Sequence, residues 1–138
     1  MTQQEKAEGF RALHTSGRIL VLPNVWDAAS ARVIEEAGFP ALATTIAGVA
    51  AVLGYPDGER IGREEMAAAV ARIARAVAVP VTADMEAGYG PDPAAAAATV
   101  RAVIDAGAIG LNLEDGTGDP TNPLFEVSAQ DERIQAAR

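Results

Sequence analysis

The sequence predicts an α/β fold: four parallel strands with crossover helices, the N-terminal half of a (β/α)8 TIM-type barrel. Three observations lead there. Short β-rich runs alternate with helical patterns along the chain, an order that means a parallel sheet with helices crossing over it. The units recur at roughly 20 to 40 residues, and a full barrel of such units takes about 250. This chain has 138. It also stops inside a helical pattern, "DERIQAAR", with no glycine stop, so the expectation is the front half of a longer unit. An open four-stranded α/β sheet is the structural alternative. Residues 1–138 read as a single, partial barrel domain.

The elements follow in order. "MTQQEKAEGFRALHTSG" is polar and helical. The first strand is "RILVLPN", Arg18 to Asn24, followed by the helix "WDAASARVIEEAG" with Asp27 as N-cap and Gly38 as stop. The second strand is "ALATT", Ala41 to Thr45. A long loop then runs to about Arg60 before the helix "REEMAAAVARIARAVA". The third is "VPVTADME", after which "GPDP" starts a helix, with Asp92 as N-cap and Pro93 at the first helical position. Val100, Val103 and Ile104 are its core face. The fourth strand, "AIGLNLED", spans Ala108 to Asp115. A Gly/Asp/Pro/Asn loop and a last helix from about Ser128 complete the chain.

Composition narrows the function. The chain is 49% hydrophobic, enough for a real core, and carries a formal charge of −8. That charge disfavours nucleic acid or an anionic membrane surface as partner. There is no cysteine, which removes disulfides, thiolate metal sites and a cysteine nucleophile. No signal-peptide pattern or spanning apolar run is present, so the expected location is cytoplasmic.

The strand ends carry the chemistry. Side chains two apart on a strand share a face, so Asp84 and Glu86 fall together with Thr82, and Asn112 with Glu114. Functional groups of parallel α/β folds gather at the carboxyl ends of strands. Asp57 lies in the loop after the second strand. Converging carboxylates repel unless a cation joins them, and Mg²⁺, which prefers oxygen ligands and keeps several waters, supplies that charge. A lone strand-end acid is more often a helix cap or a solvated group; the pair followed by "LNLEDG" makes metal or substrate binding the better reading. The small-residue stretch "ATTIAGVAAVLGYPDG" reads either as a carboxylate-holding backbone or simply as a loop with a tight turn. Trp26 is open between a pocket mouth and a packing role. Arg72, Arg75 and Arg101, and equally Lys6 and His14, belong on solvated faces.

Four ordered stretches, "LPNVWDAASARVIEEAG", "TTIAGVAAVLGYPD", "TADMEAGYG" and "GLNLEDG", resemble the isocitrate lyase/phosphoenolpyruvate mutase superfamily over nearly the whole chain. The resemblance implies a (β/α)8 barrel, homo-oligomers, Mg²⁺ (or Mn²⁺), and carbon–carbon bond chemistry on a small 2-oxo or 2-hydroxy carboxylic acid through an enolate. It implies Asp84 and Glu86 as metal-binding acids and Glu114 as holder of metal-bound water. It further implies Thr45, Ile46, Ala47 and Gly48 as the grip on substrate carboxylate and oxo groups, with Asp57 after them.

Departures temper this. The family's lyases carry a K-K-C-G-H type motif soon after the fourth strand; here that stretch is "EDGTGDPTNPLFEVS". No acid/base catalyst is therefore assigned. The substrate-binding arginine and glutamate of strands five and beyond are not within these residues. Ile46 stands where a smaller or hydroxyl residue is common, an expected narrowing of the pocket. Two readings remain: an enzyme of this lyase/mutase type, or a catalytically silent half-barrel acting as a metal-binding or self-assembling module.

Overall fold

The computed structural model describes residues 1–56 and 61–138. Helix α1 (Gln3–His14) leads into β1 (Asn24–Val25), α2 (Ala28–Glu36), β2 (Leu42–Thr44), α3 (Ile46–Leu53) and α4 (Arg63–Ala76). Then come β3 (Val81–Asp84), α5 (Pro93–Asp105), β4 (Gly110–Asn112) and α6 (Val127–Ala137). The strands lie in the order β1-β2-β3-β4 and every pair is parallel. This is the predicted architecture.

Local chemistry sets the helix ends. Asp27 Oδ1 accepts the Ser30 amide at 2.7 Å while Ser30 Oγ takes the Asp27 amide at 3.2 Å, a reciprocal cap on α2. Gly38 follows that helix at φ +90°, a conformation other residues enter at a penalty. Between the sheet and its helices lies the core. Val25, Leu42, Ile73, Val77 and Val81 form one cluster. Ile46, Val49, Met66, Val70, Ala83, Met85 and Val103 belong to the other.

Several expectations are corrected. The run Arg18–Asn24 is mostly not strand: only Asn24 and Val25 pair with β2, and Ile19 is 93% exposed. An edge run extends no further than its partner offers hydrogen bonds, and β2 has three residues. The expected loop after β2 contains α3. Its signal was in the sequence, because Ile46, Val49, Ala50 and Leu53 recur at i, i+3, i+4, i+7. Four small residues (Ala47, Gly48, Ala50, Ala51) and a cap lacking a side-chain hydrogen bond masked it. Ile104 was placed in the core yet is 53% exposed, while Val103 beside it is buried.

Helix α1 buries no residue. It straps the end of the sheet where strands begin: Gln3 Nε2 donates to Ile104 O at 2.8 Å and Ala108 O at 2.7 Å, and Lys6 Nζ to Val77 O at 3.2 Å. Lys6 is thus half-buried rather than solvated, and lies at the end opposite the acids. His14, Arg72, Arg75 and Arg101 are exposed, as expected.

Candidate functional site

At the carboxyl end of β3 the alternation holds as far as the strand does. Val81, Ala83 and Met85 join the helix-side core, and Thr82 and Asp84 take the other face. The strand ends at Asp84, however, and Glu86 stands beyond it at φ +47°. The shared-face argument for Asp84 and Glu86 is therefore corrected. Glu86 is placed by a turn, with only 7% of it exposed.

Asp84 ties three elements together. Its Oδ2 accepts the Ile46 amide at the start of α3 (3.3 Å), its Oδ1 the Glu86 amide (3.3 Å), and its own amide donates to Thr44 Oγ1 on β2 (3.0 Å). A carboxylate there meets the partial positive charge of a helix N-terminus.

The expected substrate grip is helical rather than a loop. Thr45 is the N-cap residue of α3, and Ile46, Ala47 and Gly48 form its first turn. The first amides of a helix lack partners within it and point out of its end. The Thr45 and Ile46 amides go to Val25 O and Asp84 Oδ2, which leaves those of Ala47 and Gly48 to face a ligand at the strand ends. Ile46 does not narrow the pocket through its side chain, which joins the core cluster. Gly48 answers to packing: a Cβ there would lie 2.8 Å from Thr45 Cγ2 and 3.0 Å from Trp26 Cβ. Trp26, 44% exposed, lines a groove of about 340 Å³ among α2, α3 and α4, on the helical side of the sheet. Asp57 lies outside the described residues.

Glu114 follows the end of β4 and is exposed. Its amide donates to Glu86 O at 2.7 Å, which joins the two strand-end segments directly. Asp84, Glu86 and Glu114 thus lie along the adjoining ends of β3 and β4. Yet among the described residues no three His, Asp or Glu side chains come close enough to hold a metal ion together. Asp84, Glu86 and Glu114 do not form a three-carboxylate cage. What remains is a set of oxygen donors, suited to a hard cation held by one or two carboxylates and its own waters.

Sequence reasoning missed what holds this end together. Behind the segment Glu86–Gly90 stand Arg63 at the start of α4, Thr99 within α5 and Arg133 within α6. Thr99 was visible as the one hydroxyl in an alanine-rich helix. Arg133 had no such mark, since a helical arginine reads as surface, yet it is fully buried with its guanidinium 4.1 Å from the Phe125 ring centre.

Comparison with known proteins bears on this geometry. Residues 10–138 match the family described as phosphoenolpyruvate phosphomutase. An oxaloacetate decarboxylase from Bradyrhizobium sp. (strain ORS 278) is 37% identical over 116 residues, covering 83% of this chain and 40% of that protein. A Burkholderia cenocepacia J2315 structure described as a lyase/mutase superposes with a TM-score of 0.93 at 45% identity, covering 98% of this chain and 48% of its own. A phosphonopyruvate hydrolase complexed with oxalate and Mg²⁺ gives a TM-score of 0.91 at 26% identity, with 99% and 47% covered. The chain spans about half the length of those structures or less.

Proposed function

The chain belongs to the phosphoenolpyruvate phosphomutase family, within the isocitrate lyase/PEP mutase superfamily, and from that premise we propose a Mg²⁺-dependent lyase or mutase function. The substrate class is a small 2-oxo or 2-hydroxy carboxylic acid, reacting through an enolate. The observation that carries this reading is Asp84, a half-buried carboxylate at the end of β3 anchored by the α3 N-terminus. The oxalate and Mg²⁺ bound by the phosphonopyruvate hydrolase relative supply the ligand class. In this reading Asp84 and Glu86 hold the metal, with Glu114 reaching it through water. Thr45, Ile46, Ala47 and Gly48 take the substrate carboxylate and oxo group, and Asp57 is the acid that follows them on the substrate side. When bound there, Mg²⁺ would supply positive charge to an enolate oxygen, an effect worth several kcal/mol. The Ala47 and Gly48 amides of the first turn of α3 would orient the same oxygen, the Ile46 amide being held by Asp84.

Mg²⁺ or Mn²⁺ is expected to raise the melting temperature of the wild type, and Asp84→Ala to abolish the rise. A wild type whose melting ignores both ions would end the metal assignment. Turnover of oxaloacetate by the 138 residues alone is expected to be little or none, since they span under half the length of the decarboxylase and lyase/mutase relatives they match.

A second reading, the half-barrel as a self-assembling homo-oligomer, is favoured by the open edge beside β4. There Ile104 lies 53% exposed in an apolar groove of about 360 Å³ shared with Gln3 and Leu111. Light scattering tests it; a monomer at high concentration would remove it.

A further inference from the structure

The segment Glu86–Gly90 adopts a costly backbone. Glu86 and Tyr89 sit at φ +47° and +60°, and Gly88 and Gly90 at +84° and +150°. For residues with a Cβ the left-handed region is sparsely populated and persists only where surroundings enforce it. A short loop in water would relax.

The surroundings here claim its carbonyls in succession. Glu86 O accepts the Glu114 amide. Ala87 O accepts Arg133 Nη2, Gly88 O accepts Thr99 Oγ1 at 2.8 Å, Tyr89 O accepts Arg63 Nη2 at 3.4 Å, and Gly90 O accepts Arg133 Nη2 at 3.5 Å. The anchors are linked to one another: Arg63 Nε donates to Thr99 Oγ1 at 3.0 Å. Arg133 Nη1 reaches onward to Glu114 O at 3.5 Å and to Gln130. One planar fork therefore spans the segments that follow both β3 and β4, which an ammonium point charge cannot do.

We propose that Arg63, Thr99 and Arg133 are positioning residues that hold Glu86–Gly90 in its left-handed path, and with it the placement of Glu86 beside Asp84. Thr99 and Arg133 are fully buried and reach the segment through its carbonyls. The proposal about the segment stands without the metal reading; only its consequence for ion binding rests on that reading.

Hydrogen exchange on the full chain tests it. In Arg133→Met, exchange of the Glu86–Gly90 amides relative to that of the α4 core turn is expected to rise about tenfold. Arg133→Lys keeps the charge without the fork, and the ratio is expected to stay raised several-fold. An unchanged ratio, with all amides faster together, would show a merely structural arginine and overturn the proposal, as would full recovery by lysine. Should Arg133→Met fail to fold, Thr99→Val carries the same comparison, and its failure to fold as well would equally overturn a local role. A second arm measures Mn²⁺ affinity by water proton relaxation, with about tenfold weakening expected in Arg133→Lys. A wild type that binds no Mn²⁺ would sink the metal reading while the exchange arm still decides the clamp.

Discussion

The segments after β3 and after β4 are both rich in glycine and acid, yet they are fixed by opposite means. Glu86–Gly90 is held from outside, by side chains of α4, α5 and α6 reaching its carbonyls. The stretch after Glu114 is held largely by itself. Thr117 Oγ1 donates to Asn122 O, Asp119 Oδ1 accepts the Thr121 amide at 2.8 Å, and Gly116 bridges to Leu124. Leu124 at its end is 56% exposed. The comparison teaches that similar composition does not mean similar rigidity. A loop that borrows its order from the core can keep a strained path, whereas one tied to itself settles into ordinary turns.

Two glycines test that contrast most directly. Gly88 and Gly118 share a positive φ, +84° and +75°, but a Cβ at Gly88 would lie 2.6 Å from Leu113 Cδ1 and one at Gly118 meets nothing within 4 Å. Gly88→Ala is expected to destabilise by about 3 kcal/mol, strain plus a displaced leucine. Thr99→Val comes next, at about 2 kcal/mol, because it leaves Gly88 O without its donor in a dry place. Gly118→Ala should cost about 1 kcal/mol, the conformational penalty alone. Denaturant melts of the three variants check the order; equal losses at the two glycines would erase the distinction.

The smallest effect concerns acid. The hydroxyl of Thr121, and then its amide, hold the Asp119 carboxyl below its usual value. A depressed folded value gives stability that is present above the ordinary aspartate range and lost as pH falls through the depressed one. Exchange of the 117–122 amides is therefore expected to quicken modestly in that acidic window, and Asp119→Asn to remove the response. Asp27, lowered by the Ser30 amide and then its hydroxyl, follows the same sign at the start of α2.

Much of this fold was legible because it is written in short-range chemistry. Asp27 with Ser30, Pro93 after Asp92 and the Val/Ala strand of β3 each act within a few residues. The site was legible in part. Asp84 could be placed because strand alternation carries its face, but Glu86 could not, because the strand ends before it. Helix α3 carries its signal in its apolar spacing, but its small residues and bare cap make the same stretch read as a loop.

Local patterns in the sequence set the parallel order of strands and helices and the acids at two adjoining strand ends, with no cysteine among these 138 residues. Tertiary structure alone decided which of those acids are buried and what holds them. The reason is range. Caps and alternation act between near neighbours, whereas the clamp on Glu86–Gly90 joins Arg63, Thr99 and Arg133 across 26, 11 and 46 positions of chain. No local pattern marks an arginine that folding will bury.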